Sequence, residues 1–233
     1  MSATRLAIAV AAWGFAASAR AQVAVSATAM SNDIYRGITL SDGKPALRLA
    51  IGYDDANGAY AGGALTGAQS AKAGLYVASH VEYIGYARRL SNGTIWDVGI
   101  INTRVKNYYN SHAYNYDLFE TYTGIRIKNL NAYLYYSPNY YDAGVKTLYA
   151  QVSGSIHPSH SIRVFGHVGA LTSLGGGGFG VFREQFDVEL GAGSDLKFAQ
   201  VQVAWTRRGP DIVYLADHAQ NRGAITLSVT RAF

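Results

Sequence analysis

Arg222-Gly-Ala-Ile-Thr-Leu-Ser-Val-Thr-Arg-Ala-Phe233 closes the chain with Ile225, Leu227 and Val229 alternating with Thr226, Ser228 and Thr230. A period of two describes a strand with one apolar and one polar face. A soluble protein seldom finishes on such a strand, because the strand would remain an exposed edge. A closed barrel removes the edge by pairing the last strand with the first. The competing arrangement is the terminal strand of a periplasmic β-sandwich.

The opposite end points the same way. Residues 1–21 carry Arg5, an apolar core from Leu6 to Ala17 and the small-x-small ending Ala19-Arg20-Ala21, the pattern of a cleavable export signal. Cleavage after Ala21 would leave 212 of the 233 residues, enough for one barrel domain over 22–233. The sequence has no Cys, so an exported chain of this kind lacks a disulfide framework. It has 26 Gly, 18 Tyr and 4 Pro, and no apolar run after residue 21 long enough for a membrane-spanning helix. Tyr- and Gly-rich alternating sequence without such a run is the signature of a transmembrane β-barrel. The formal charge of +5 falls to +3 without Arg5 and Arg20, and no basic cluster supports a nucleic-acid partner.

Alternation predicts twelve antiparallel strands: 23–35, 47–53, 59–66, 74–88, 94–105, 116–127, 131–136, 146–156, and four more around 162–168, 186–190, 201–205 and 224–233. Connections after the even-numbered strands are short, and those after the odd-numbered ones mostly longer. That is the pattern of short periplasmic turns and longer external loops, with 37–44, 108–115 and 210–221 as the principal loops. Tyr35, Tyr53, Tyr60, Tyr83, Tyr86, Trp96, Tyr108, Tyr116, Tyr133, Tyr149 and Trp205 fall near strand ends, where aromatic girdles meet the lipid interfaces.

Polar residues expected to face inward are the candidates to line the lumen: Arg48, His80, Glu82, Arg104, Glu120, Arg126, Arg163, His167, Asp187 and Glu189, with Asp97 beside them, although Asn102 and Arg104 interrupt the apolar face of Trp96, Val98 and Ile100. Both signs together read as interior ion pairs or as the charged rings of an eyelet. No catalytic residue, metal ligand set or cofactor is expected. His157-Pro-Ser-His160 places two imidazoles on a turn without a nearby third ligand. Ser153 and His167 fall on neighbouring strands as a hydrolase-like pair, without a Gly-x-Ser-x-Gly elbow. Gly175–Gly178 lacks the Lys-Ser or Lys-Thr of a phosphate loop.

Ser31-Asn-Asp-Ile-Tyr-Arg-Gly-Ile-Thr-Leu-Ser-Asp-Gly-Lys-Pro45 resembles the N-terminal signature of the Gcw_chp family of proteobacterial proteins, through Tyr35, Arg36, Gly37, Ser41, Gly43 and Pro45. The resemblance implies an exported outer-membrane barrel and carries no activity. The ending also resembles the assembly signal of such barrels, in Phe233 with Val229, Leu227 and Ile225; Arg231 stands where an aromatic or apolar residue is common. Outer-membrane lipid and the barrel-assembly machinery are the expected partners. Three roles follow: a porin-like channel for small hydrophilic solutes, a plugged structural or adhesive barrel acting through external loops, and a barrel-embedded lipid-modifying hydrolase. Deleting Phe233 should sharply lower the heat-modifiable barrel in outer-membrane fractions while export continues; normal levels would refute the assembly-signal reading.

Overall fold

A computed structural model describes residues 22–70, 74–109, 112–140, 144–175, 184–209 and 223–233. The expected leader over 1–21 and the loop 210–221 lie outside these residues, as do Gly176, Gly177 and Gly178. The strands are β1 Gln22–Met30, β2 Ile34–Tyr35, β3 Ile38–Thr39, β4 Ala46–Asp54, β5 Ala59–Ser70, β6 Gly74–Arg89, β7 Ile95–Tyr109, β8 His112–Ile127, β9 Leu130–Tyr140, β10 Lys146–Ile156, β11 Ile162–Gly175, β12 Gln185–Asp195, β13 Gln200–Gly209 and β14 Ala224–Ala232. Among the described residues, β1 and β4 to β14 form one closed antiparallel barrel of twelve strands, and β2–β3 is a separate small hairpin.

Closure is made by β1, which pairs with β4 over its whole length and with β14 through Ser26–Met30. The backbone N–H of Phe233 adds a bond of 2.9 Å to the carbonyl of Val25. A sandwich would leave two sheets with free edges, and this seam excludes it.

Burial is inverted relative to a soluble protein. Leu49, Ile51, Val168, Leu190 and Val203 are exposed on the outer wall, whereas Ser26, Thr66, Asp97, Glu120 and Asp187 are buried inside. An outward apolar band with polar residues within is a lipid-facing barrel wall. Ile225, Leu227 and Val229 of the terminal stretch all face outward, as does Phe233.

The turns at the end that holds the termini are short. In one of them Gly58, at φ +100°, donates to the carbonyl of Asp55 at 3.0 Å, a conformation that side chains rarely adopt. The other end differs from expectation in three places. The first strand stops at Met30 rather than reaching residue 35, because the chain turns inward there. Residues 108–115 are not a loop: β7 and β8 run on through Tyr109 and from His112, and pair there. The β5–β6 and β7–β8 connections are accordingly short, the length having gone into strands of 15 and 16 residues.

Val152 and Val203 face outward within the apolar band. Arginine at either position should cost roughly 2–4 kcal/mol if it meets lipid at mid-depth. Urea unfolding of the protein in lipid vesicles checks this; tolerance at both positions would mean that this wall does not meet hydrocarbon.

Candidate functional site

The feature that governs the interior is the connection between β1 and β4. Residues 31–45 do not leave the barrel as an external loop; they fold into its lumen. The sequence supplies two tight reversals. Arg36 and Gly37 have φ of 50° and 72° between the paired residues Tyr35 and Ile38, and Asp42 and Gly43 have φ of 56° and 70°. Two successive left-handed residues form the turn that suits a two-residue hairpin. A left-handed Arg is disfavoured by about 1 kcal/mol or more, so its surroundings must hold it. A side chain at Gly37 would strike Arg208 of β13.

The segment is tied to itself by side chains. Ser41, fully buried, accepts from the backbone N–H of Asp33 at 2.9 Å and lies 2.7 Å from the carbonyl of Lys44, to which its hydroxyl donates. Thr39 donates to Asn32 Oδ1 at 2.6 Å and accepts from the N–H of Gly43 at 2.9 Å. At its root, Arg48 of β4 meets Asp33 at 2.6 Å and Thr66 of β5 at 3.1 Å.

The tip crosses to the far side of the ring. Arg36 donates through Nη1 and Nη2 to the two carboxylate oxygens of Glu120 on β8, at 2.8 and 3.1 Å, and Tyr35 donates to Glu120 at 3.1 Å. The guanidinium lies 3.8 Å from the ring centre of Tyr149 on β10 and 5.0 Å from that of Tyr135 on β9. The Arg36 and Glu120 side chains are only 6% and 2% exposed. In the twelve-strand order, β8 to β10 stand opposite β1 and β4, so the segment spans the bore. Forked geometry makes the two bonds short and directional, and burial makes the loss of either partner far more costly than at a surface, because the other charge is left unpaired.

Below and beside the segment the bore is packed with Tyr. Tyr60 and Tyr133 both donate to Asp97 of β7, and the hydroxyls of Tyr60 and Tyr122 bond each other. Tyr122, Tyr133, Tyr135 and Tyr149 follow one another with ring centres 5.5 to 6.1 Å apart. Glycines make room for them. Gly124 is paired directly with Tyr133 and Gly99 with Tyr122, and an added side chain at either would collide with that ring. Five Tyr expected in interfacial girdles, Tyr35, Tyr60, Tyr83, Tyr133 and Tyr149, therefore belong to the interior; Tyr83 packs beside Tyr60, and the hydroxyls of the other four reach polar partners. Tyr53, Tyr86, Trp96 and Trp205 do face outward; the side chains of Tyr108 and Tyr116 lie outside the described residues.

The other half of the bore retains a cavity of about 220 Å³. It runs from Gly154, Arg163 and Gln200, near one end of their strands, up to the hairpin residues 34–37. Its wall combines Arg163, His167, Asp187 and Glu189 with the amides Gln151, Gln200 and Gln202 and hydroxyls of β1 and β14. His167 Nε2 is 2.5 Å from Asp187 and 3.1 Å from the Tyr149 hydroxyl. Asp187 also accepts from Tyr149 at 3.1 Å. Ser153 is directly opposite His167, but its hydroxyl interacts with Asn131 at 3.4 Å, and both residues point into the lumen rather than to an external rim.

Of the lumen candidates, Arg48, Glu120, Arg126, Arg163, His167, Asp187 and Glu189 lie on inward faces. His80, Glu82 and Arg104 do not. A bulge beside Thr66 and Gly67 admits Ala78 as an extra residue in β6, which reverses the alternation and turns His80 and Glu82 outward. Arg104 keeps the outward direction of Trp96 and Ile100 on the same strand, and its side chain is 64% exposed. His157 and His160 lie on an exposed turn, and no group of three metal-binding side chains occurs among the described residues.

Removing one member of the central ion pair strands the other. Glu120→Ala should destabilise the barrel by about 3–5 kcal/mol. Adding Arg36→Ala to it should recover part of that loss, as measured by urea unfolding in lipid; a double variant as weak as the sum of the two singles would refute the pairing.

Several solved structures share the fold at low sequence identity. The NanC porin is 9% identical, with a TM-score of 0.52 over 91% of this chain and 99% of that one. The KdgM porin is 11% identical, with a TM-score of 0.51 over 90% and 98% of the two chains. An outer membrane channel from Pseudomonas putida F1 is 12% identical, with a TM-score of 0.51 over 94% and 97%. No curated protein matches the sequence. Residues 15–229 match the Gcw_chp family, described as a bacterial protein of unknown function, and with nearly its whole length so matched the chain belongs to that family.

Proposed function

We propose that this protein is an outer-membrane channel for small hydrophilic solutes whose bore is narrowed by its own first connection. On this reading residues 1–21 direct export, the terminal strand is received by the barrel-assembly machinery, and the outer wall sits in outer-membrane lipid. The observation that carries the proposal is the polar cavity of about 220 Å³ that runs alongside the inserted segment, lined by both charges and by amides and hydroxyls. Such a lining replaces water around a polar solute without holding one sign of ion strongly. The likeness to porins and to an outer membrane channel over nearly the full length of both chains supports it.

The second reading is a closed structural barrel. What favours it is the buried Arg36–Glu120 pair, which holds the segment across the bore. Planar-bilayer recording separates the two. The wild type should give small, stable current steps, and the double replacement of Arg36 and Glu120 by Ala should raise the step size severalfold. Folded, heat-modifiable protein that is silent in both forms would sink the channel reading and leave the structural one.

A further inference from the structure

The outer wall of β6 to β8 departs from the rest of the band. On β6, Leu75 and Val77 face outward toward one end and Ile84 and Tyr86 toward the other. Between them stand His80 and Glu82, with side chains 38% and 56% exposed and 3.2 Å apart. Arg104 and Asn102 of β7 are paired directly with these two, and Arg104 is paired in turn with Asp117 of β8, 3.8 Å away. A strip of both charges thus interrupts the apolar outer wall. Ionisable groups on such a surface are costly and mark a function. The bulge in β6 is what turns His80 and Glu82 outward, and bulges serve to re-aim side chains. Beside the strip, β5 presents Gly63 and Gly67 opposite Glu82 and Val77, with the outward Leu65 between them opposite His80.

We propose that this strip is the contact between two copies of the chain lying side by side in the membrane. An anionic lipid headgroup would meet Glu82 and Asp117 on either side of Arg104. A second copy, inserted in the same orientation, brings both signs to the same depth. Rotation about an axis normal to the membrane then sets the base of one copy near the carboxylates of the other. Small residues and polar side chains together are what joins chains where lipid already solvates every apolar surface.

The chain has no Cys, which makes the test direct. Asn102→Cys at the strip and Val203→Cys on another part of the wall are each refolded into lipid vesicles, checked for heat modifiability and treated with a mild oxidant. Most of the Asn102→Cys protein should become a covalent dimer, and little of the Val203→Cys protein. Adding Arg104→Glu should abolish the cross-link severalfold or more, and combining it with Glu82→Arg should restore it. Native mass spectrometry of the wild type in detergent should show two copies. Equal cross-linking at both positions, a single-copy mass, or a single copy carrying anionic lipid that Arg104→Glu removes would each overturn the proposal.

Discussion

The constraint on which this structure depends is that lipid offers the backbone no hydrogen-bond partner. Every strand must therefore be paired on both sides, and the sheet has to close on itself. β1 carries that requirement, bonded to β4 on one flank and to β14 on the other. Closure fixes what each face must be. The outside takes Leu, Ile and Val, and the inside collects polar side chains that need partners of their own. A bore of twelve strands is too wide for such side chains to fill unaided, and too narrow to leave their charges fully hydrated.

Two devices fill it. Tyr extends an aromatic ring into the bore and ends in a hydroxyl, so it covers area and still finds an acceptor, as Tyr133 does at Asp97. Gly on the neighbouring strand gives the ring its place. The abundance of both residues in this sequence is largely one fact seen from two sides. The second device is the inserted segment, which brings a cation to a carboxylate that the wall alone would leave buried without one. Glu120, with 1% exposure, is tolerable inside because Arg36 arrives from another part of the chain.

Much of this was legible in the sequence. Alternation gave the strands, their even number and, for most of the wall, the facing of each residue. It failed where period two is interrupted or carries no information. Alternation points His80 and Glu82 inward, because a single inserted residue, Ala78, is invisible to a count by twos. For Arg104 charge and parity disagree: its charge suits the lumen, but its position on β7 is an outward one. Of the expected aromatic belt, Tyr35, Tyr60, Tyr83, Tyr133 and Tyr149 sit inside instead, because Tyr near a strand end suits a lipid interface and a polar interior equally. The inserted segment was visible as turn chemistry, in Arg36-Gly37 and Asp42-Gly43, but turn chemistry says that a chain reverses and not where. The direction depends on Glu120, which lies 84 positions further along.

The place of the inserted segment in the chain has a topological consequence. It joins β1 to β4 and is rooted at both ends in adjacent strands, while β14 is the strand that completes the ring. During synthesis and insertion the segment and its anchors on β8 to β10 all precede the final strand. It can therefore settle across an open, curling sheet before the gap between β1 and β14 closes. Once that gap is zipped, the wall is continuous and the segment is a tethered bar inside a finished ring. From then on it can move only along the axis, never sideways through the wall.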